Sequence, residues 1–197
     1  LDSKTVASNP VQSRMVRSEE PAVETIGTSD SFGTDPKDPL IGAQIQNYAI
    51  DGLLGEGGFG NVYHAVDEKL GREVALKFLR NPMNEKHHSL FEREAKAIAR
   101  LGQHIVDIFA WGEFNNMSYF ILEFVPTSLS AFIKSNTNGI PVPLALDLIK
   151  QCAEALAFAH DEGIVHRDIK PANIFLEGPE GPAKITDFGL TRLMDST

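Results

Sequence analysis

Two short runs near the C-terminal end carry most of the reactive side chains: His166-Arg167-Asp168-Ile169-Lys170-Pro171-Ala172-Asn173, then Asp187-Phe188-Gly189. Asp168 offers a carboxylate that can orient an attacking hydroxyl and accept its proton, and Lys170, two residues on, can neutralise an anion in transfer. Asn173 and Asp187 add hard oxygen ligands of the kind Mg²⁺ prefers. Together these groups suit phosphoryl transfer. The plainer alternative is a charged surface loop ahead of a strand, with His166 a satisfied structural histidine. The rest of the chain has to decide between them.

The elements that would position these groups can be read in order. Residues 1–40 are rich in Ser, Thr, Pro, Asp and Glu, hold one aromatic residue (Phe32) and lack a sustained apolar period, which predicts a disordered leader. From residue 41 to 197 the pattern is that of one domain. Tyr48 to Leu54 alternates as a strand does and runs into Gly55-Glu56-Gly57-Gly58-Phe59-Gly60-Asn61-Val62, after which Val62 to Val66 reads as a second strand. The glycines then sit in a hairpin, where a missing Cβ lets backbone approach phosphate oxygens and adopt positive φ. A dinucleotide-binding turn shares the GxGxxG spacing but requires a helix directly after it, and a β-branched strand follows here.

Arg72 to Leu79 is an apolar strand interrupted by Lys77, and a buried lysine needs a partner. The next segment, Ser89 to Leu101, places Leu90, Phe91, Ala95, Ile98 and Leu101 at helical spacing and is the expected source of that partner. Ile105 to Glu113 and Ser118 to Glu123 read as strands joined through Asn115-Asn116, a turn that tolerates left-handed residues. Leu129 to Lys134 suggests a short helix. Leu144 to His160 is a longer one with apolar positions Leu144, Leu148, Ile149, Cys152, Leu156 and Ala159, and Gly163 is its expected C-terminal cap. Ile174-Phe175-Leu176 leaves the Asp168 loop as a strand, and Ala183-Lys184-Ile185-Thr186 returns to Asp187.

Composition narrows the classes. The net charge of −9 argues against a nucleic-acid partner, which would require clustered Lys and Arg. No apolar run reaches membrane-spanning length and no signal peptide opens the chain, so a cytoplasmic location is expected. The single cysteine, Cys152, excludes an intrachain disulfide and reads as a core thiol. The chain starts at Leu1 and stops at Thr197, shortly after Gly189, which reads as a piece of a longer protein whose isolated form would expose apolar surface.

The run HRDxKxxN, the DFG triplet, the GxGxxGxV loop ending on Val62 and the strand Val74-Ala75-Leu76-Lys77 together resemble the protein kinase family in the family's order. The resemblance covers residues 48–193, and the Asn173-Ile174-Phe175-Leu176 exit strand is similar to the eukaryotic-like Ser/Thr kinases of bacteria. It implies an α+β, bilobal protein-kinase-like fold. The N-lobe would be an antiparallel five-stranded sheet with one helix, followed by an incomplete, mainly helical C-lobe.

The implied cofactors are ATP and Mg²⁺, and the implied partner is a protein carrying a Ser or Thr acceptor. By resemblance Asp168, Lys170, Lys77 and Glu94 are catalytic, with Glu92 the competitor for the Glu94 role, and Asn173 and Asp187 hold the metal. The nucleotide would lie against Leu54, Gly55, Glu56, Gly57, Gly58, Phe59, Gly60, Val62, Ala75, Lys77, Leu122, Glu123, Val125 and Phe175. Leu122 would guard the back of the pocket, and Glu123 to Val125 would form the adenine-binding hinge. Lys170 marks Ser/Thr specificity in the family, and Arg167 is the residue that meets a phosphorylated activation loop in regulated members.

Two departures stand out: Gly102-Gln103-His104-Ile105 is about two residues shorter than the usual connection, and Pro126-Thr127-Ser128 replaces the usual glycine past the hinge. The rival readings are a pseudokinase scaffold and a dinucleotide-binding oxidoreductase. Lys77, Asp168 and Asp187, one of which a pseudokinase usually lacks, are all present.

Overall fold

The structure, a computed structural model, describes residues 38–58, 60–80, 102 and 104–188. The larger sheet holds β1 (Gln44–Ile45), β2 (Tyr48–Gly57), β3 (Gly60–Asp67), β4 (Arg72–Leu79), β5 (Ile108–Phe114) and β6 (Met117–Glu123), in the order β1-β2-β3-β4-β6-β5. All of its pairings are antiparallel. The five expected strands are there, and the two-residue β1 adds a sixth at the β2 edge. The packed structure already includes Asp38, whose carboxylate accepts from the Tyr63 hydroxyl at 2.8 Å, and the buried Leu40.

Strand β4 explains why one lysine can sit in an apolar run. Flanked by β3 and β6, it is buried from Val74 to Leu79. Side chains alternate along a strand, so Val74, Leu76 and Phe78 enter one core with Ile50, Tyr63, Ala65, Tyr119 and Ile121. Ala75 and Leu79 enter a second cluster on the opposite face, with Val106, Phe120, Leu122 and Val125. Lys77 has the parity of that second face.

The β5–β6 hairpin turns at Asn115 and Asn116, with φ of 50° and 62°, as the Asn pair led us to expect. Strand β5 starts later than its sequence suggested. Ile105 and Val106 are instead drawn to the C-terminal half, where Ile105 bridges Ile185 in parallel and Val106 N–H donates to Ile185 O at 3.0 Å.

The second layer comprises β7 (Thr127–Ser128), helix α1 (Leu129–Ser135), helix α2 (Val142–Asp161), a 3₁₀ turn (Pro171–Asn173), β8 (Ile174–Leu176) and β9 (Ala183–Ile185), with sheet order β7-β8-β9. Ser128 Oγ caps α1 by accepting from Ala131 N–H at 3.2 Å. Helix α2 ends in a Schellman motif: Gly163 (φ +73°) donates to His160 O and Ile164 to Ala159 O.

Leu148, Ala155 and Ala159 of α2 pack on Ile174, Leu176, Ala183 and Ile185, with Leu144, Cys152 and Leu156 beside them. Ile149 does not join that face and is 64% exposed, as are Val142 and Leu146 to similar degrees. One residue advances a helix by 100°, so a neighbour of the buried Leu148 turns outward. Among the described residues no helix is long and apolar enough to cross a membrane. The expected helix Ser89 to Leu101 lies outside the described residues.

Of the loop glycines, only Gly60 has positive φ, at +141°, and a Cβ there would lie 1.8 Å from Phe78 O. Its lack of a side chain therefore serves the close approach of β3 to β4. Gly55 and Gly58 face open space, where a Cβ would meet nothing within 4 Å. Gly60→Ala should destabilise the fold by about 3 kcal/mol or more, whereas Gly58→Ala should change it by less than about 1 kcal/mol. Urea denaturation of the two variants checks the contrast.

Candidate active site

The two reactive runs meet at the junction of the layers. Lys77 Nζ, 5% exposed as a residue, stands 2.6 Å from Asp187 Oδ1, although 110 positions separate them in sequence. A lysine this deeply desolvated requires a carboxylate, and Asp187 supplies one. Glu94, the expected partner, and Glu92 both lie outside the described residues.

His166 organises the segment from beneath. Its side chain is buried, and its ring packs edge-on against Phe188 at 4.6 Å. Nε2 lies 2.7 Å from Thr186 O, and Asp168 N–H donates to Nδ1 at 3.2 Å. A carbonyl can only accept and an amide can only donate, so the proton sits on Nε2. The histidine thereby holds Asp168, two residues after it, and Thr186, the residue before Asp187. Arg167 and Asp187 flank this arrangement with φ of 69° and 68°, left-handed values that β-carbon sterics disfavour, and the His166 contacts help to hold them. Sequence reasoning gave His166 only a structural part. Its positioning of Asp168 and Asp187 needed the contact between two loops.

Asp168 Oδ2 accepts from Lys170 Nζ at 2.7 Å and from Asn173 Nδ2 at 3.1 Å. The Lys170 ammonium, joined by the Asn173 amide, outweighs the opposing effect of burial and holds the Asp168 carboxyl below its ordinary value, so it is ionised at neutral pH. Asn173 Nδ2 also donates to Asp168 O at 2.8 Å, and Asn173 O accepts from Thr186 N–H at 2.9 Å. With its amide nitrogen committed to Asp168, the Asn173 side chain presents Oδ1 as its free-valence end, and the neighbouring strand carries the Asp187 carboxylate. A carboxylate and an amide oxygen on adjoining segments are the donor set Mg²⁺ takes, so these residues fit that ion.

The expected nucleotide-lining residues also converge. Ala75, Leu122 and Val125 share one buried cluster, and Val62 and Phe175 pack against it. Glu123 is held by its side chain: Oε1 pairs with Lys184 Nζ, and Oε2 accepts from Asp107 N–H at 3.2 Å. The Glu123 N–H donates to Asp107 O at 2.9 Å. Leu54, Gly55, Glu56, Gly57 and Gly58 lie exposed along the hairpin, while Gly60 is buried and Phe59 falls outside the described residues. The Arg80 guanidinium reaches back to Gly57 O at 3.1 Å, tying the loop to the end of β4. Cys152 is half-buried on α2, and burial raises its thiol pKa.

A glycine hairpin and an apolar cluster thus lie on one side of the Lys77–Asp187 contact, and the Asp168 loop on the other. A family model described as "Protein kinase domain" matches residues 48–197, and the chain belongs to the protein kinase family. It is 40% identical over 158 residues to a probable serine/threonine-protein kinase of Clostridium acetobutylicum, an alignment covering 78% of this chain and 24% of that protein. It is 34% identical over 167 residues to serine/threonine-protein kinase PknA of Mycobacterium tuberculosis, covering 80% and 38% respectively. With PknF of the same species it shares 36% identity over 162 residues, covering 78% and 34%. The chain thus spans between about a quarter and two-fifths of the length of these three relatives.

Replacing Lys170 by Gln should move the Asp168 carboxyl up toward about 3.9, the ordinary aspartate value. A depressed pKa in the folded state contributes stability that is present above the unfolded value and lost as pH falls through the folded one. The variant should therefore be less stable than the parent near pH 7, and the difference should vanish well below about pH 3.9. Carboxyl-carbon NMR titration follows the first effect, and urea denaturation across pH the second.

Proposed function

We propose that the protein carrying this chain transfers the γ-phosphoryl group of ATP to Ser or Thr hydroxyls of other proteins. The observation that carries the reading is the meeting of Lys77 with Asp187, 2.6 Å apart, beside the hydrogen-bonded set of Asp168, Lys170 and Asn173. The names of the relatives and the position of Lys170 support the choice of Ser and Thr.

In this mechanism the apolar slot of Val62, Ala75, Leu122, Val125 and Phe175 takes the adenine ring, and backbone groups of Glu123 to Val125 read its edge. Lys77 turns from Asp187 to the α and β phosphates, and the exposed backbone at Gly55, Gly57 and Gly58 covers them. Asn173 and Asp187 would hold Mg²⁺, which would supply charge neutralisation to the phosphates. Asp168 orients the acceptor hydroxyl and takes its proton late, its lowered pKa keeping it ionised for that task. Lys170, already against Asp168, offsets charge on the group in flight. A free cysteine and the need for ATP fit a cytoplasmic site of action.

Asp168→Ala in the full-length protein should lower phosphate transfer to Ser and Thr by about 10²-fold or more while leaving ATP affinity within about threefold, since Asp168 touches acceptor and not adenine. Radiolabelled transfer together with nucleotide titration measures both. Undiminished transfer would defeat the assignment.

A further inference from the structure

Lys184 is the middle residue of β9, between Ala183 and Ile185, both 0% exposed and both in the core against α2. Alternation sends the Lys184 side chain to the opposite face, across from Phe175 in the β8–β9 register, where Phe175 packs on the apolar slot. There its ammonium meets two carboxylates: Oε1 of Glu123, at the end of β6, and Oε1 of Glu177, at 2.7 Å. The Lys184 side chain is 13% exposed and that of Glu123 21% exposed. Burial by itself would lower the Lys184 pKa, but the hydrogen bonds to Glu123 and Glu177 outweigh it and the pKa stands above the ordinary lysine value. The ammonium stays charged across the physiological range.

The placement of the two ends gives this contact its consequence. Glu123 opens the hinge that would read adenine, and Asp107 already holds its N–H and its second carboxylate oxygen. The chain runs on from Lys184 in β9 to Asp187, three residues later, which pairs with Lys77. The backbone path from Glu123 to Asp187 passes through β7, both helices and the Asp168 loop, whereas the Lys184 side chain spans the gap directly.

We infer that Lys184 is a positioning residue for nucleotide binding, strapping the Glu123 end of the hinge to the strand that carries Asp187. The adenine end and the phosphate end of the site are thereby held at one spacing. This rests on the kinase reading given above and names a determinant of that site's affinity for ATP. Loss of the strap leaves the Glu123 carboxylate partly buried without its cation and lets the hinge shift against β9. Binding of ATP weakens, while the transfer step, governed by Asp168, Lys170 and the metal ligands, is left nearly intact. Glu177, which is more exposed than Glu123, contributes less because water screens it.

The experiment uses the full-length protein with Mg·ATP and a Ser/Thr acceptor. Lys184→Gln and Glu123→Gln should each raise the ATP KM, and the dissociation constant of a non-hydrolysable ATP analogue, by about five- to tenfold with kcat changed less than about twofold. The double variant should be no weaker than the weaker single one, because the two substitutions break one contact. Lys184→Arg should recover most of the affinity, and Lys150→Gln, which opens an exposed helix ion pair, should match the parent. An unchanged KM in both single variants, additive losses in the double variant, or a fall in kcat that tracks a fall in melting temperature would each overturn the strap. A parent protein that binds no ATP would instead overturn the kinase reading and the strap with it.

Discussion

The contact between Lys77 and Asp187 is the constraint on which the arrangement depends. A lysine on a strand buried along both faces has a large desolvation penalty, and only an adjacent anion makes that position tenable. The anion comes from the other layer, so this polar contact helps tie the large sheet to the Asp168 loop. A stability requirement and a chemical one coincide here: the charge that satisfies Lys77 is the same carboxylate expected to hold a metal.

Strain is placed beside that contact and held there. Arg167 and Asp187 adopt left-handed backbone conformations without being glycine, and each belongs to a segment that His166 touches. A neutral imidazole with one donor and one acceptor suits this task, since it can answer an amide on one loop and a carbonyl on the other. Phe188 packs against its ring and Asn173 ties the turn back to Thr186, so the reactive carboxylates are presented from a rigid bed. Below it, the β8–β9 hairpin rests on Leu148, Ala155 and Ala159 of α2. Preorganisation of this kind is what a phosphoryl-transfer site needs, because the protein's contribution is position and charge.

Much of this was legible in the chain. Strand β4 coincides with Arg72 to Leu79, the Asn115-Asn116 turn has the backbone its residues favour, and Gly163 terminates α2 as a left-handed cap. Each of these rests on local physics: alternation, turn chemistry, or the absence of a Cβ. Expectations that rested on partners distant in sequence fared less well. Ile105 looked like the start of a strand and instead pairs with Ile185, because β9 competes for its backbone. Ile149 looked like a core position and faces out. That a Cβ at Gly60 would meet the carbonyl of Phe78 on the next strand could not be read from the glycine spacing. Lys184 appeared only as a residue on the way to Asp187.

The sequence alone therefore determined which side chains can do the chemistry and the elements that bear them, because motif spacing and hydrophobic period are properties of neighbours along the chain. It also determined the family resemblance, which rests on the order of those motifs. Only the tertiary structure decided that Asp187 stands against Lys77, which tautomer His166 holds and that Gly60 is needed where β3 meets β4. It also decided that a lysine on β9 reaches the hinge. Those outcomes depend on desolvation and on distances between segments far apart in sequence, and neither exists until the layers have closed on one another.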